Sequence, residues 1–188
     1  DGKALHVRPS SPADLATLPQ AAALCHQYLR LRDGDIAIVN DPSSGGTSLS
    51  AITLVAGVCF EDAELLLVHR LDLAPLLTAQ NRLEAEGVRI PPTPLASALA
   101  SDTQINTELL GAIAAHPLAP RGLQASILQA LKEIAVAIRE IKSVARDPGS
   151  ELKRAGFKRY FADCSRTFKA AMNNRLPLGT TLASSQLA

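Results

Sequence analysis

Residues 39–55 read VNDPSSGGTSLSAITLV, and this stretch joins two apolar segments through a loop rich in serine and glycine. Asn40 and Asp41 favour a turn that leaves a strand. Gly45 and Gly46 allow the backbone to turn tightly and to approach a ligand closely. The stretch therefore predicts a loop between two buried strands that holds an ion or a phosphate, although it contains neither histidine nor cysteine and has a single carboxylate.

The apolar segments around this loop predict a mixed α/β fold with buried strands and covering helices. Three segments are short, bounded by turn residues and rich in β-branched residues or leucine, which is typical of strands: DGDIAIVND (33–41), AITLVAGVCF (51–60) and ELLLVHR (64–70). Their nearly continuous apolar character indicates burial on both faces, so the alanine-rich residues 15–31 predict one covering helix. Residues 90–97 are expected to be extended, and residues 106–116 to form a short helix.

The C-terminal part predicts a long helical hairpin. Apolar residues recur there at steps of three and four, which places them on one helix face: Leu123, Ile127, Leu131, Ile134, Ile138, Ile141 and Ala145. A second helical pattern follows through residues 157–172, after a break at DPGS. We therefore expect an α/β core over residues 1–122, which carries the loop, and a helical hairpin with a short tail over residues 123–188, the two together forming one structural unit.

The charged residues are balanced, with 19 Lys and Arg against 18 Asp and Glu and a net charge of +1. This balance gives no electrostatic footprint for nucleic acid or an anionic membrane. Cys25, Cys59 and Cys164 are scattered without paired spacing, which indicates reduced thiols in a cytoplasm. No run reaches the roughly 18 apolar residues that a spanning helix needs, and the first residues lack a signal-peptide pattern. We expect a cytoplasmic protein that binds neither nucleic acid nor membrane.

The loop does not match the common motifs for phosphate binding or nucleophilic catalysis. Its glycine spacing and its lack of lysine differ from a P-loop. Ser43, Ser44 and Ser48 are not surrounded by a G-x-S-x-G elbow, and no histidine lies near them in the sequence. Solvent-facing loop serines are the simpler interpretation.

Two residue pairs elsewhere are also weak candidates for chemistry. Cys25 and His26 are neighbours on a predicted helix, where their side chains point about 100° apart. His69 and Asp72 face opposite sides of the sheet if the strand continues through them, which is wrong for joint metal binding. A turn at Leu71 would be needed to bring that pair together.

Residues 34–58, GDIAIVNDPSSGGTSLSAITLVAGV, resemble the hydantoinase B/oxoprolinase family, which also includes the α subunit of acetone carboxylase. Members of that family read like G-D-V-x-I-x-N-D-P-x-x-G-G-T-H-L-P-D-I-T-L-V-x-P-V. Three further segments are similar to family motifs in the same order: DGKAL (1–5), EAEGVRIPP (84–92) and DCSRTFKAAMNNRLPLGT (163–180). The resemblance covers nearly the whole chain, whereas a usual family member is several times longer.

The resemblance implies a metal-dependent, ATP-coupled activity shared between two parts. An ATP-using A-type partner activates a cyclic amide or a ketone, and the B-type part holds a divalent metal. The motif G-G-T-H-L-P-D supplies a histidine and an aspartate, and a later H-H-A-D stretch supplies another histidine. The corresponding positions here are Ser48, Ala51 and the run around Asp72 and Leu73. Because a hydroxyl is a poor ligand and a methyl group is none, we expect no metal or other cofactor on this chain.

Two hypotheses follow from the altered motif, and whether the chain is an enzyme stays open between them. The first is a truncated, non-catalytic B-type subunit that acts as an assembly or interaction component. Its partner would be a second copy, an A-type subunit or a full-length B-type subunit. The second is an active component for cyclic-amide ring opening or ketone carboxylation, whose metal ligands are relocated to His69, Asp72 and Asp41 or come from another chain.

A third hypothesis is a small-molecule-binding module that keeps the pocket without the chemistry. Its loop would bind an anion or an amide. The predicted substrate or anion loop consists of Asn40, Asp41, Gly45, Gly46 and Thr47.

Overall fold

The computed structural model describes residues 4–60, 63–73, 86–98, 103–147 and 154–175. The chain forms two compact units, Asp1–Ser150 and Glu151–Ala188. Within the described ranges, the first unit contains a five-stranded antiparallel sheet and three α-helices, and the second unit contains one α-helix. The predicted mixed α/β class is therefore confirmed.

The sheet contains all three predicted strands and two more. The strands are β1 (Asp35–Val39), β2 (Ala51–Cys59), β3 (Glu64–Asp72), β4 (Thr93–Ser97) and β5 (Gln104–Ile105). Every neighbouring pair is antiparallel, and the order across the sheet is β3-β2-β1-β4-β5. The predicted loop connects β1 to β2 and lies at the sheet end where β1 finishes.

The helices lie close to their predicted positions. They are α1 (Asp14–Leu29), α2 (Thr107–Ala114), α3 (Leu123–Arg146) and α4 (Arg154–Arg175). α1 ends where Arg30 adopts a left-handed conformation with φ of 51° and its N–H bonds to the carbonyl of His26. α2 begins at Asn106, whose side chain accepts a hydrogen bond from the Leu109 N–H. None of the helices described has the length and apolar character needed to cross a membrane.

The two faces of the sheet bury residues of different size. Successive side chains of a strand point to opposite faces. One face packs under α2 and α3 with large residues from β1 and β2: Ile36, Ile38, Ile52, Leu54 and Val58. The other face packs under α1 with smaller strand residues, Ala37, Val39 and Val55, which meet Ala21, Ala22 and Cys25 of that helix. The prediction that the strands are buried on both faces is confirmed for β1 and β2, whereas β3 is only half buried between exposed ends. The sheet is the middle of three layers.

The apolar seam of α3 rests on the sheet over most of its length. Ile127, Ile134 and Ile138 are each at most 2% exposed and belong to the same core as β1 and β2. Farther along, Ile141 is only half buried and Val144 is 54% exposed. Since residues 148–153 lie outside the described ranges, the hairpin of α3 and α4 and the domain boundary at residue 122 stay predictions.

Candidate functional site

Asn40 follows β1 directly and is completely buried, with 0% exposure. Its side-chain amide donates to the carbonyl of Leu49 at 2.7 Å and to that of Val88 at 2.8 Å. Its side-chain oxygen accepts from the Ile90 N–H at 2.7 Å, and its main-chain N–H donates to the Ile90 carbonyl at 3.0 Å. This predicted loop residue therefore joins the end of the loop to residues 88–90, and its polar atoms bind the protein's own backbone.

Asp41 caps a single 3₁₀ turn, Pro42–Ser44, at the start of the loop. Its carboxylate accepts from the Ser43 N–H at 2.9 Å and from the Ser43 hydroxyl at 2.8 Å, and the guanidinium of Arg89 lies 3.0 Å away. Burial alone would raise the pKa of Asp41, but the hydrogen bonds from Arg89 and Ser43 and the charge of Arg89 outweigh it, so that pKa lies below its usual value. The carboxylate is held ionised and already has a cation beside it.

Gly45 and Gly46 are required by packing between parts of the chain. Gly45 has φ of +88°, and a Cβ atom there would lie 2.5 Å from the Ala21 main-chain nitrogen in α1. A Cβ atom on Gly46 would lie 1.9 Å from the carbonyl oxygen of Asn40. The sequence correctly indicates a close backbone approach, but the approaching group is the protein itself.

The main-chain N–H groups of this turn also point to internal acceptors. Those of Ser44 and Gly46 donate to the Asp41 carbonyl at 2.8 and 2.9 Å, and that of Gly45 donates to the Pro42 carbonyl at 3.4 Å. An anion nest needs such groups directed outward together. An anion would therefore have to displace existing main-chain hydrogen bonds at this turn. Thr47, the last residue of the predicted set, is exposed.

The four positions that correspond to family metal ligands lie together at one end of the sheet. Ala51 pairs directly with Asp72 across β2 and β3, and the Ala51 N–H donates to the Ser48 carbonyl at 3.2 Å. The Leu73 N–H donates to the Ser50 carbonyl at 3.3 Å, and the hydroxyls of Ser48 and Ser50 are 3.1 Å apart. The fold thus assembles these positions although they are far apart in the sequence.

The side chains at these positions do not fit a divalent metal. Ser48 offers a neutral hydroxyl and Ala51 a methyl group, and the Asp72 carboxylate already accepts the hydroxyl of Ser10 at 2.7 Å. Divalent metal sites in proteins use several imidazole, thiolate or carboxylate ligands. Among the described residues, no group of three or more such side chains is gathered at any place.

Sequence reasoning missed a buried polar network beside this site. Arg70 of β3 donates to Asp14 and Thr17 of α1, to Thr53 of β2 and to the Gly45 carbonyl, at 2.7, 2.8, 3.0 and 2.7 Å respectively. The network ties β3, the covering helix and the loop together. A single arginine inside the apolar strand ELLLVHRLD was the available signal, because a buried guanidinium needs a partner.

The relocated ligand set of the second hypothesis is not brought together. β3 continues through His69 to Asp72, so the two side chains leave opposite faces of the sheet. His69 lines a cavity beside Glu133 and Ile134 of α3, whereas Asp72 contacts Ser10 on the α1 face.

The adjacent pair in α1 also follows the simpler interpretation. Burial raises the pKa of the Cys25 thiol to about 12, so the reactive thiolate form is disfavoured. The His26 side chain is 38% exposed and lies 4.0 Å from Glu64. Cys25 therefore lies in the buried core, and His26 lies on a partly exposed surface.

Known proteins match the chain at the level of family and fold. A family model described as hydantoinase B/oxoprolinase matches residues 1–187. The fold is similar to the crystal structure of the ATP-dependent caprolactamase from Pseudomonas jessenii, with a TM-score of 0.70 and 19% sequence identity over 89% of this chain. The match spans 30% of the caprolactamase chain. No curated protein matches. The chain belongs to the hydantoinase B/oxoprolinase family, as its motifs predict.

Proposed function

We propose that this chain is a B-type component of an ATP-dependent cyclic-amide hydrolase and contributes assembly rather than catalysis. Family membership supports the B-type role, and the similarity to a caprolactamase favours a cyclic amide over a ketone. Its partner is an A-type subunit, which uses the ATP, or a full-length B-type subunit. The compartment that we propose is the cytoplasm.

The observation that carries the non-catalytic role is the pairing of Ala51 with Asp72 beside Ser48. This is the place where the family resemblance puts metal ligands. The one carboxylate there, on Asp72, accepts a hydrogen bond from the Ser10 hydroxyl at 2.7 Å. Ala51 offers only a methyl group, and Ser48 offers a neutral hydroxyl. Such a donor set supports loss of the metal while the surrounding backbone keeps its arrangement.

The intact scaffold supports an assembly role instead of complete loss of function. Asn40, Gly46 and Arg70 make contacts that depend on this backbone geometry, and each belongs to the residues around the altered positions. These contacts hold the loop backbone in a defined shape beside the altered positions. We therefore propose that the loop region shapes a surface that the partner subunit binds.

The first experiment restores the metal ligands. In Ser48→His with Ala51→Asp, the new carboxylate lies directly opposite Asp72, with the imidazole nearby. We expect the double variant to bind Zn²⁺ or Mn²⁺ with about one ion per chain, and to gain thermal stability when the ion is added. The unchanged chain should show neither effect in elemental analysis and thermal unfolding.

A matched control adds Asp72→Asn to the double variant, which removes the third ligand. We expect that triple variant to bind the ion much more weakly. If the unchanged chain itself retains about one tightly bound ion, the non-catalytic role is wrong and the second hypothesis replaces it. Failure of the double variant to bind would mean that the backbone no longer holds the metal geometry.

The second experiment tests the partner. The chain and an A-type subunit of the same family are mixed, and complex formation is followed by size-exclusion chromatography with light scattering. We expect a complex that shows no ATP-dependent lactam ring opening by itself. Ring opening by this pair alone would contradict the assembly role, and absence of any complex would contradict the partner.

A further inference from the structure

The outer side of α3, turned away from the seam that rests on the sheet, carries acidic residues and valines in one row. The members of this acidic row follow at steps of three, four, four and three, which places them on one side of the helix. All five are exposed: Glu133, Val136, Glu140, Val144 and Asp147, which directly follows the helix. Val136 is 43% exposed and Val144 is 54% exposed. α3 therefore presents apolar side chains between carboxylates.

α4 carries the opposite combination, aromatic residues with cations beside them. Four residues follow at steps of four, three and four and form an aromatic row on one side of the helix: Phe157, Phe161, Cys164 and Phe168. Phe168 is 63% exposed. Lys158 and Lys169 are exposed, and each directly follows a phenylalanine of the row, so both lie about 100° around the helix in the same direction. The aromatic row therefore has a basic edge.

The two units of the chain carry net charges of opposite sign. Residues 151–188 contain seven Lys and Arg and two Asp and Glu, which gives a net charge of +5. Because the whole chain has a net charge of +1, residues 1–150 have a net charge of −4. The nearly neutral total therefore conceals two surfaces of complementary charge, and such complementarity selects a partner and speeds association with it.

We propose that the aromatic row of one copy packs on the acidic row of a second copy, and that the contact is reciprocal about a two-fold axis. Both rows are exposed in the single chain, and each supplies what the other lacks. The phenylalanines cover the exposed valines, and the lysines of the basic edge lie beside the carboxylates. A two-fold dimer contains this contact twice. The inference rests on exposed helix faces and is independent of the proposed function.

The length and the charges of α3 suit this contact. Glu133 and Asp147 lie fourteen residues apart, which is about 21 Å along the helix axis, whereas Lys158 and Lys169 span about 16 Å. A basic residue directly precedes each acidic member and lies about 100° around α3 from it: Lys132, Arg139 and Arg146. These cations repel the basic edge of α4, so the acidic side of α3 accepts it and the charges orient the two helices.

The first test is the oligomeric state of the full 188-residue chain, measured by sedimentation over a roughly hundredfold concentration range. We expect a dimer that dissociates on dilution. Its dissociation constant should rise with salt concentration, because salt screens exposed charges.

Two charge-reversal variants remove the complementarity from either side. The first is Glu133→Lys with Glu140→Lys, and the second is Lys158→Glu with Lys169→Glu. All four positions are exposed, so the folded chain tolerates the changes. Each variant brings like charges together across the contact, and its dissociation constant should rise about tenfold or more.

The matched control is Glu64→Lys with Glu108→Lys. It changes the net charge by the same amount as the first variant, at exposed positions outside both rows. It should dimerise like the unchanged chain, because the effect depends on where the charges lie.

Mixing the two charge-reversal variants separates a contact between copies from a contact within one chain. In a mixed dimer both contacts join opposite charges again, one in the original sense and one reversed. We expect the equimolar mixture to recover dimers that contain one copy of each variant, as measured by native mass spectrometry.

Four results would each overturn the proposal: a chain that stays monomeric, a mixture without recovery, a control that dissociates like the first variant, or a monomer that sediments with phosphatidylserine vesicles. The second result would assign the contact to a single chain. The last would assign the basic edge to a lipid surface.

Discussion

The guanidinium of Arg70 and the carboxylate of Asp14 lie 2.7 Å apart although 56 positions separate them, and each side chain is only 3% exposed. Asp14 also accepts hydrogen bonds from the N–H groups of Ser10 and Ser11. The Ser10 hydroxyl lies 2.8 Å from Asp14 and 2.7 Å from Asp72, so the two carboxylates share its single proton. The pair is thus buried with its remaining polar atoms satisfied, which is the condition under which an ion pair is retained inside a protein.

Arg70→Met should lower the free energy of unfolding by roughly 3–5 kcal/mol, because it leaves the Asp14 carboxylate buried without its cation. Urea denaturation measures this loss. Arg166→Met is the matched control: that arginine is 78% exposed and pairs with Asp163 on the surface of α4. The control should change stability by less than about 0.5 kcal/mol. Equal effects of the two changes would contradict the role given to Arg70.

Acid should remove the contribution of Asp14 over a defined range. Burial would raise the pKa of Asp14, but hydrogen bonds from Ser10, Ser11 and Arg70 lower it from 3.8 to about 2. A carboxyl group whose pKa is lower in the folded state stabilises the fold at any pH above its pKa in the unfolded chain. Asp14 should therefore contribute about 2 kcal/mol near pH 5, and this contribution should be lost progressively as the pH falls toward 2. In Asp14→Asn, the free energy of unfolding should fall less steeply between pH 5 and pH 2. If the two proteins lost stability in parallel over this range, Asp14 would not make the expected contribution.

Glycine 46 offers a sharp steric test. Gly46→Ala places a Cβ atom 1.9 Å from the Asn40 carbonyl oxygen, so the backbone must move. We expect a loss of about 3 kcal/mol or more in thermal or urea unfolding. Gly111→Ala is the control, because that glycine lies inside α2 and the added Cβ has no neighbour within 4 Å beyond its own helix backbone. It should stabilise the protein by about 0.5–1 kcal/mol. A mild effect at position 46 would show that the loop can yield.

Asn40→Asp tests the buried amide with almost no change of volume. The new carboxylate has no N–H group to donate to the carbonyls of Leu49 and Val88. It also places a negative charge at a position that is completely buried. The expected cost is roughly 3–5 kcal/mol. Asn106→Asp is the matched control at the start of α2, where either residue caps a helix, and it should stay within about 0.5 kcal/mol. Similar stabilities of the two variants would refute the buried role of Asn40.

The elements of the fold could be predicted from local patterns. Apolar runs bounded by turn residues predicted β1, β2 and β3, and the three-and-four spacing from Leu123 predicted α3. These patterns depend on neighbours in the chain, which the sequence displays directly. β5 consists of only two residues, Gln104–Ile105, and forms by pairing with β4. A strand this short has no local sequence pattern from which it could be predicted.

The site could be predicted only in part. The sequence indicates that Gly45 and Gly46 leave room for a close neighbour, but it does not say whether that neighbour is a ligand, a helix or a carbonyl group. The Arg70 network joins residues from α1, β2, β3 and the loop, and its members carry no shared spacing. Register across the sheet, which places Ala51 opposite Asp72, likewise appears only after folding.

The three hydrogen bonds of the Asn40 side chain also constrain the order of folding. They reach residues 9, 48 and 50 positions ahead, so the loop cannot reach its final form before residues 88–90 arrive. Closing so long a stretch of chain is entropically slow. We expect the Ile90 amide proton, which is bonded to the Asn40 oxygen, to exchange with solvent only when the whole first unit unfolds. Hydrogen exchange at that single amide would then report the unfolding free energy of the first unit.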